Sequence, residues 1–254
     1  MSGHSKWATI RRKKEATDAK RGQLFTKVSR EISVAARQGG PDPEANFRLR
    51  LAIQKARGVN MPADNIKRAV EKATSEGAGA ANFEEIVYEG FGPGGAAVIV
   101  EALTDNRNRT VAEVRNVFNR SGGRMGETGS VGWMFDERGL IVIEPTKDQS
   151  PDDIALAAIE AGAEDVNEVE DGSVEVYTQL HDLKAVQDAL AAEGYSIASA
   201  EKTYMPKTTV EPADGEADGV LRLVDKLEDL DDVQGVYTNL EINEPVSVNT
   251  GVSV

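Results

Sequence analysis

Residues 140–204 read LIVIEPTKDQSPDDIALAAIEAGAEDVNEVEDGSVEVYTQLHDLKAVQDALAAEGYSIASAEKTY. Strand-like segments at Leu140–Ile143, Asp165–Glu170, Ser173–Thr178 and Ser196–Tyr204 alternate with helical ones at Pro151–Ala161 and Asp182–Glu193. The order β-α-β-β-α-β is the ferredoxin-like, split βαβ pattern. Asp171-Gly172 suits the two-residue turn between the two middle strands, because both residues tolerate positive φ. This stretch decides the fold: a complete α/β unit over residues 138–204.

The flanks share its alternation. Val87–Glu89 and Ala96–Leu103 are strand-like around Gly90-Phe91-Gly92-Pro93-Gly94-Gly95, a hairpin signal. Thr110–Arg120 is helical, with Val111, Val114, Val117 and Phe118 on one side. Residues 121–132 are glycine-rich, and Val131–Phe135 reads as a returning strand. Beyond Pro206 come a short strand (Thr208–Val210), a helix (Gly219–Leu230) and a strand (Val233–Tyr237). Together these predict a second ferredoxin-like unit, residues 82–136 and 205–240, interrupted by the first. From about Glu241 onward there is no clear pattern.

Residues 1–77 predict a basic arm and three helices. From Asp18 to Gln38, residues Leu24, Phe25, Val28, Ile32, Ala35 and Ala36 fall on one helical face, and Gly39-Gly40-Pro41 stops it. Asp42-Pro43 is expected to start a second helix, lined by Phe47, Leu49, Leu51, Ile53 and Ala56 and ended by Gly58. Met61-Pro62 opens a third, with Ile66, Ala69, Val70 and Ala73 at i, i+3, i+4, i+7. Gly77 and the Ala/Gly run after it read as a linker. The expected fold class is α+β: an N-terminal three-helix domain with a basic arm, plus two ferredoxin-like α/β domains, one inserted in the other.

The chain has 254 residues with 29 Lys+Arg against 43 Asp+Glu, a net charge of −14. That total hides a split. Residues 1–77 carry 17 basic and 8 acidic residues, residues 141–254 carry 6 and 26. Such asymmetry points to one nucleic-acid-facing end and one solvated, repelling end. There is no cysteine and there are two histidines, His4 and His181. Disulfides, thiolate metal sites and Cys nucleophiles are therefore excluded, and most His-based catalysis with them. No apolar stretch is long enough to span a membrane. The N-terminus lacks the apolar core of a secretory signal, a transit peptide being the weaker reading. The expected location is cytoplasmic.

The arm carries Lys6, Arg11, Arg12, Lys13, Lys14, Lys20 and Arg21, which suit phosphate neutralisation with counterion release. Trp7 lies among them, placed either to stack on an unpaired base or to pack on the helices. Lys27 and Arg30 extend the basic run into the first helix, where Arg37, Arg48, Arg50, Lys55, Arg57, Lys67, Arg68 and Lys72 also occur, some of them simply solvating helix faces. A helix-turn-helix reading has no distinctive turn behind it. Thr104-Asp105-Asn106-Arg107-Asn108-Arg109-Thr110 joins a strand to a helix. It is either a phosphate contact through Arg107 and Arg109 or a capping loop in which Asn108 or a neighbour satisfies free amides. Gly122-Gly123-Arg124-Met125-Gly126-Glu127-Thr128-Gly129 lacks the Lys-Ser/Thr of a nucleotide-binding loop. It reads as a turn able to bring Arg124 close to a nucleic-acid backbone. Adjacent acids such as Asp152-Asp153 are expected by chance at this composition, and no nucleophile motif is present. No catalytic residue, metal or cofactor is expected.

Ser2-Gly3-His4-Ser5-Lys6-Trp7, Asn60-Met61-Pro62 with Asn65-Ile66, and Tyr88-Glu89-Gly90-Phe91-Gly92-Pro93-Gly94-Gly95 add a different kind of information. With Thr104–Thr110 and Gly129-Ser130-Val131-Gly132-Trp133-Met134-Phe135, they resemble, in order and over nearly the whole chain, the YebC/PmpR family. That family's mitochondrial relative is the translational activator of cytochrome c oxidase subunit I. Phe91 stands where Tyr is often found. The resemblance implies three domains, one inserted in another, and a non-enzymatic regulator of gene expression labelled as binding DNA. A ribosome-associated translation factor contacting rRNA or tRNA is the alternative. The expected partners are nucleic acid (DNA, or rRNA and tRNA) and, in that alternative, the ribosome, with no membrane, in a monomer or weak homo-oligomer.

Overall fold

A computed structural model describes residues 21–75, 83–146, 148–169, 171–211, 213 and 215–241. The arm residues Lys6, Trp7, Arg11, Arg12, Lys13, Lys14 and Lys20 lie outside the described residues. So do the linker after Gly77 and the tail from 242 onward.

Three helices form the N-terminal unit: α1 (Arg21–Gly39), α2 (Phe47–Gly58) and α3 (Ala63–Thr74). Val28, Ile32, Ala35 and Ala36 of α1 meet Leu49, Ala52 and Ala56 of α2 and Ile66, Ala69 and Ala73 of α3 in one core. The second helix starts four residues after the predicted Pro43. The cause is Asn46, which is 6% exposed. Its amide nitrogen donates to the carbonyls of Ala35 (2.8 Å) and Gly40 (2.9 Å), and its oxygen accepts from the Leu49 amide at 3.1 Å. One side chain thus closes α1 and caps α2, whereas Asp42 only closes a turn onto the Glu44 amide.

The next unit is a sheet of β1 (Glu84–Phe91), β2 (Ala97–Thr104), β3 (Arg124–Met125) and β8 (Val233–Thr238). Its order is β3-β1-β2-β8, antiparallel throughout. Helices α4 (Arg107–Arg120) and α7 (Glu216–Glu228) cover one face. Val114 and Phe118 of α4 and Val220, Leu223, Val224 and Leu227 of α7 bury Tyr88, Val98, Val100 and Val236 there. The predicted strand at 131–135 is instead a 3₁₀ turn, Gly132–Met134, and the sheet edge is the two-residue β3. Glycines permit that pairing: a Cβ on Gly90 would lie 2.7 Å from the Arg124 carbonyl oxygen, and one on Gly123 2.6 Å from that of Phe91. The predicted strand at 208–210 is reduced to a single bridge, Val210 to Leu240. This unit therefore enters through a hairpin, a connectivity distinct from βαββαβ.

The inserted unit follows its predicted order: β4 (Phe135–Ile143), α5 (Pro151–Glu160), β5 (Asp165–Glu168), β6 (Val174–Gln179), α6 (Leu183–Ala192) and β7 (Ile197–Pro206). Its sheet order is β5-β6-β4-β7, all antiparallel. Ile154 and Ala158 of α5 and Leu183, Val186 and Leu190 of α6 cover Ile141, Ile143, Val174 and Val176. Ser150 caps α5 by accepting from the Asp153 amide at 3.1 Å. The free face of the first sheet, through Ala97, Ile99 and Tyr237, packs on Val131 and Phe135 at the start of the insertion. Tyr204 and Tyr237 meet there with ring centroids 4.9 Å apart.

Candidate nucleic-acid interface

The small residues that bring α1 and α3 together leave a groove on their outer side of about 510 Å³. Ser29, Ser33, Ala69 and Ala73 form its floor, Phe25 and Phe83 its apolar walls, and Arg30, Arg37, Arg68 and Lys72 its charged rim. Arg30 and Arg37 lie two turns apart on α1, about 10 Å, and Arg68 and Lys72 one turn apart on α3, about 6 Å. Arg68 is steadied from its own helix, donating to the Asp64 carbonyl (3.2 Å) and to the Asn65 side-chain oxygen. Among the described residues no acid lines this groove. Arg37, Arg68 and Lys72 around a floor of small residues with two phenylalanine walls can neutralise phosphates and seat flat rings.

The other face of the same helices is built differently. Asp232 is 2% exposed and collects four donors. Arg30 Nη1 donates to its Oδ1 at 2.8 Å and to the Asp231 carbonyl at 2.6 Å. Arg109 Nη2 donates to Oδ2 at 2.6 Å, and the hydroxyls of Thr110 and Thr104 donate to the same oxygen at 2.7 and 3.0 Å. Burial pushes the Asp232 carboxyl up, but the bonds from Arg109, Thr110 and Thr104 outweigh it and hold the group below its ordinary value. Lys27 donates to the Glu228 carbonyl at 2.5 Å, at the end of α7. Burial lowers its pKa to about 8, against the opposing attraction of Glu228, Asp231 and Asp229.

The predicted phosphate residues therefore divide. Lys27, Arg30 and Arg109 are engaged with acceptors within the chain. The loop at 104–110 is a capping loop: Asn106, rather than Asn108, accepts from the Arg109 amide at 3.1 Å, and Arg109 also bridges back to Asp105 at 2.9 Å. Arg107 stays exposed in the first turn of α4. Arg124 is exposed on β3, its guanidinium 4.9 Å from the Phe91 ring centroid. Arg21 begins α1. Arg37, Arg68 and Lys72, which the groove brings together with Arg30, were present in the sequence only among many helix-surface cations. The i, i+4 spacing of Arg68 and Lys72 was the available signal.

A second cleft, of about 390 Å³, lies where the three units meet. Its cations are matched by acids: Arg48 with Glu85 at 2.7 Å, Lys55 with Glu31 at 3.1 Å, and Lys202 with Glu101. The glycine-rich loop is likewise self-satisfied. Its backbone amides at Gly129, Val131 and Gly132 form a nest for an anion, and Glu89, 7% exposed, fills it at 2.7, 2.7 and 2.6 Å. Burial raises the Glu89 pKa, but these three bonds outweigh it and keep the group depressed. Among the described residues no helix is long and apolar enough to cross a membrane.

Comparison with known proteins agrees with this architecture. Residues 5–76 match the TACO1/YebC protein N-terminal domain, and residues 83–240 match the TACO1/YebC second and third domain. A protein of Herpetosiphon aurantiacus named "Probable transcriptional regulatory protein" is 55% identical over 247 residues, 97% of each chain. One of the same name from Pelotomaculum thermopropionicum is 55% identical over 246 residues, 96% of this chain and 100% of the other. The crystal structure of a conserved hypothetical protein from Aquifex aeolicus superposes with a TM-score of 0.83 at 45% identity, covering 91% of this chain and 94% of that one. With both domain descriptions matched in order across its length, the chain belongs to the TACO1/YebC family.

Proposed function

We propose that this protein is a nucleic-acid-binding regulator of gene expression that takes phosphate into the groove between α1 and α3. The observation that carries the reading is the groove itself: Arg37, Arg68 and Lys72 gather around a floor of small residues in which, among the described residues, no acid takes part, on a chain whose net charge is −14. A groove that gathers cations on an acidic protein is a surface to which a polyanion can be steered. The relatives' name, "Probable transcriptional regulatory protein", favours transcription as the regulated step and DNA as the target. The translation alternative draws no support from those names.

The test is binding of the full chain to a 20-base-pair duplex, followed by fluorescence anisotropy across a salt series. Replacing Arg37, Arg68 and Lys72 together by Gln removes three cations. The slope of log Kobs against log salt is then expected to become shallower by about 2.7, from roughly 0.9 per phosphate contact. An unchanged slope and affinity would remove the groove from the interface.

A further inference from the structure

The 3₁₀ turn Gly132–Met134 sorts its side chains sharply. Val131 and Phe135 on either side are 0% and 5% exposed, while Trp133 between them is 69% exposed. An indole held out in solvent is a poor use of the largest apolar side chain unless something covers it. Its geometry restricts what that can be. The ring nitrogen donates to the Ser130 carbonyl at 3.2 Å, so the polar edge is turned back on the loop and the π faces are what remains available. The loop beneath is held by the three amide bonds to Glu89, so the platform is ordered before any ligand arrives and docking costs little entropy.

The surroundings supply charge. Phe91 alternates with the helix-facing Tyr88 and Gly90 and lies on the opposite face of the sheet, packed with Val131, Phe135 and Met134. Arg124 pairs with Phe91 across the edge strand and stacks its guanidinium on that ring. Phe91 thus joins the two: Arg124 stacks on its ring, and Val131, Met134 and Phe135 on either side of Trp133 pack in its cluster. At the far end of the turn, the Lys207 amide donates to the Met134 carbonyl at 2.8 Å, and its ammonium lies 3.1 Å from Asp136.

We infer that Trp133 is a stacking platform for an unpaired nucleobase, with Arg124 placed for the adjoining phosphate. An indole face with no free hydrogen-bonding edge accepts any base and reads no sequence. A base inside a duplex has both faces occupied and cannot use it. The inference rests on the nucleic-acid-binding reading above and narrows it to strands with unstacked bases.

Trp7 and Trp133 are the two tryptophans, so full-length Trp7→Phe protein reports Trp133 fluorescence alone. Titration with a 12-nucleotide oligoadenylate RNA is expected to quench it, whereas a 12-base-pair duplex at equal occupancy, followed by anisotropy, leaves it unchanged. In the otherwise unaltered chain, Trp133→Ala should weaken binding of the single strand by between about 5- and 150-fold, the range for losing one stacked base. Its salt slope should not change, and Trp133→Phe should recover most of the loss. Single-strand binding without quenching, at equal affinity for Trp133→Ala, overturns the platform while leaving the nucleic-acid reading standing. Absence of binding to both strand and duplex at 50 mM salt overturns both.

Discussion

The two faces of the N-terminal helices use the same residue types to opposite ends. On one, Lys27 and Arg30 reach Glu228, Asp231 and Asp232 and tie the helices to the first α/β unit. On the other, Arg68 and Lys72 line a groove in which, among the described residues, no carboxylate takes part. A cation facing a buried acid holds the fold, and exchanging its partner for a phosphate would leave that acid uncompensated. Arg68, whose bonds among the described residues run only to the Asp64 carbonyl and the Asn65 side-chain oxygen, has no such cost. The capacity to bind a polyanion therefore depends on which acids lie opposite, and the number of Lys and Arg on a helix does not measure it.

The sharpest way to break this contrast is Asp232→Ala. It strands Arg30, Arg109 and two threonine hydroxyls, and removing one partner of a buried charge pair typically costs about 3–5 kcal/mol. Urea unfolding should show that loss, while affinity for a nucleic-acid duplex should hold or rise because Arg30 is released at the groove edge. A loss of affinity at full stability would invert the assignment. Next in size is Glu89→Gln, which leaves one oxygen for three amides. It is expected to cost about 1–3 kcal/mol, and hydrogen exchange should speed up at Gly129, Val131 and Gly132. Slow exchange there would mean the loop does not depend on the carboxylate.

Acidification gives a smaller version of the Asp232 test. With its folded pKa held below the ordinary value, its contribution is complete above that ordinary value and disappears as pH falls through the folded one. Denaturation midpoints should decline over that acid range and decline less in Asp232→Ala. Lys27 gives an effect of opposite sign at the alkaline end. Its folded pKa, about 8, lies below the ordinary 10.5, so between those values the unfolded chain binds more protons and stability should rise with pH. Lys27→Met should abolish that rise, and an unchanged alkaline profile would show that burial of the ammonium is not its source.

The inserted unit was legible because its pattern is contiguous: strands, helices and the Asp171-Gly172 turn follow one another with nothing interposed. Even there, Asp136-Glu137-Arg138-Gly139 is a polar run and reads as a break, yet β4 passes straight through it. Asp136 meets Lys207 at 3.1 Å and Arg138 meets Glu164 at 2.8 Å, and Gly139 lies where a Cβ would come within 2.9 Å of Leu183. None of those partners is local. The discontinuous unit was harder for the same reason. Its edge strand is two residues long and depends on glycine at positions 90 and 123, and Glu89 draws the amides of 129–132 into a nest where local propensity favoured a strand. Of the candidate site, the basic character of the first domain was visible, but the groove was not, and the exposed indole of Trp133 carried no mark in the sequence.

By itself the sequence determined the helical faces, the βαββαβ order and the separation of basic from acidic segments. Each of those depends on spacing and composition, which are properties of neighbours along the chain. Only the tertiary structure decided that β8 closes the first sheet against β2, that Asp232 gathers Arg30 and Arg109 from far along the chain, and that Arg37, Arg68 and Lys72 share a groove. Hydrogen bonding and charge pairing fall off within a few ångströms, so the partner of each of these groups is set by how the chain closes on itself.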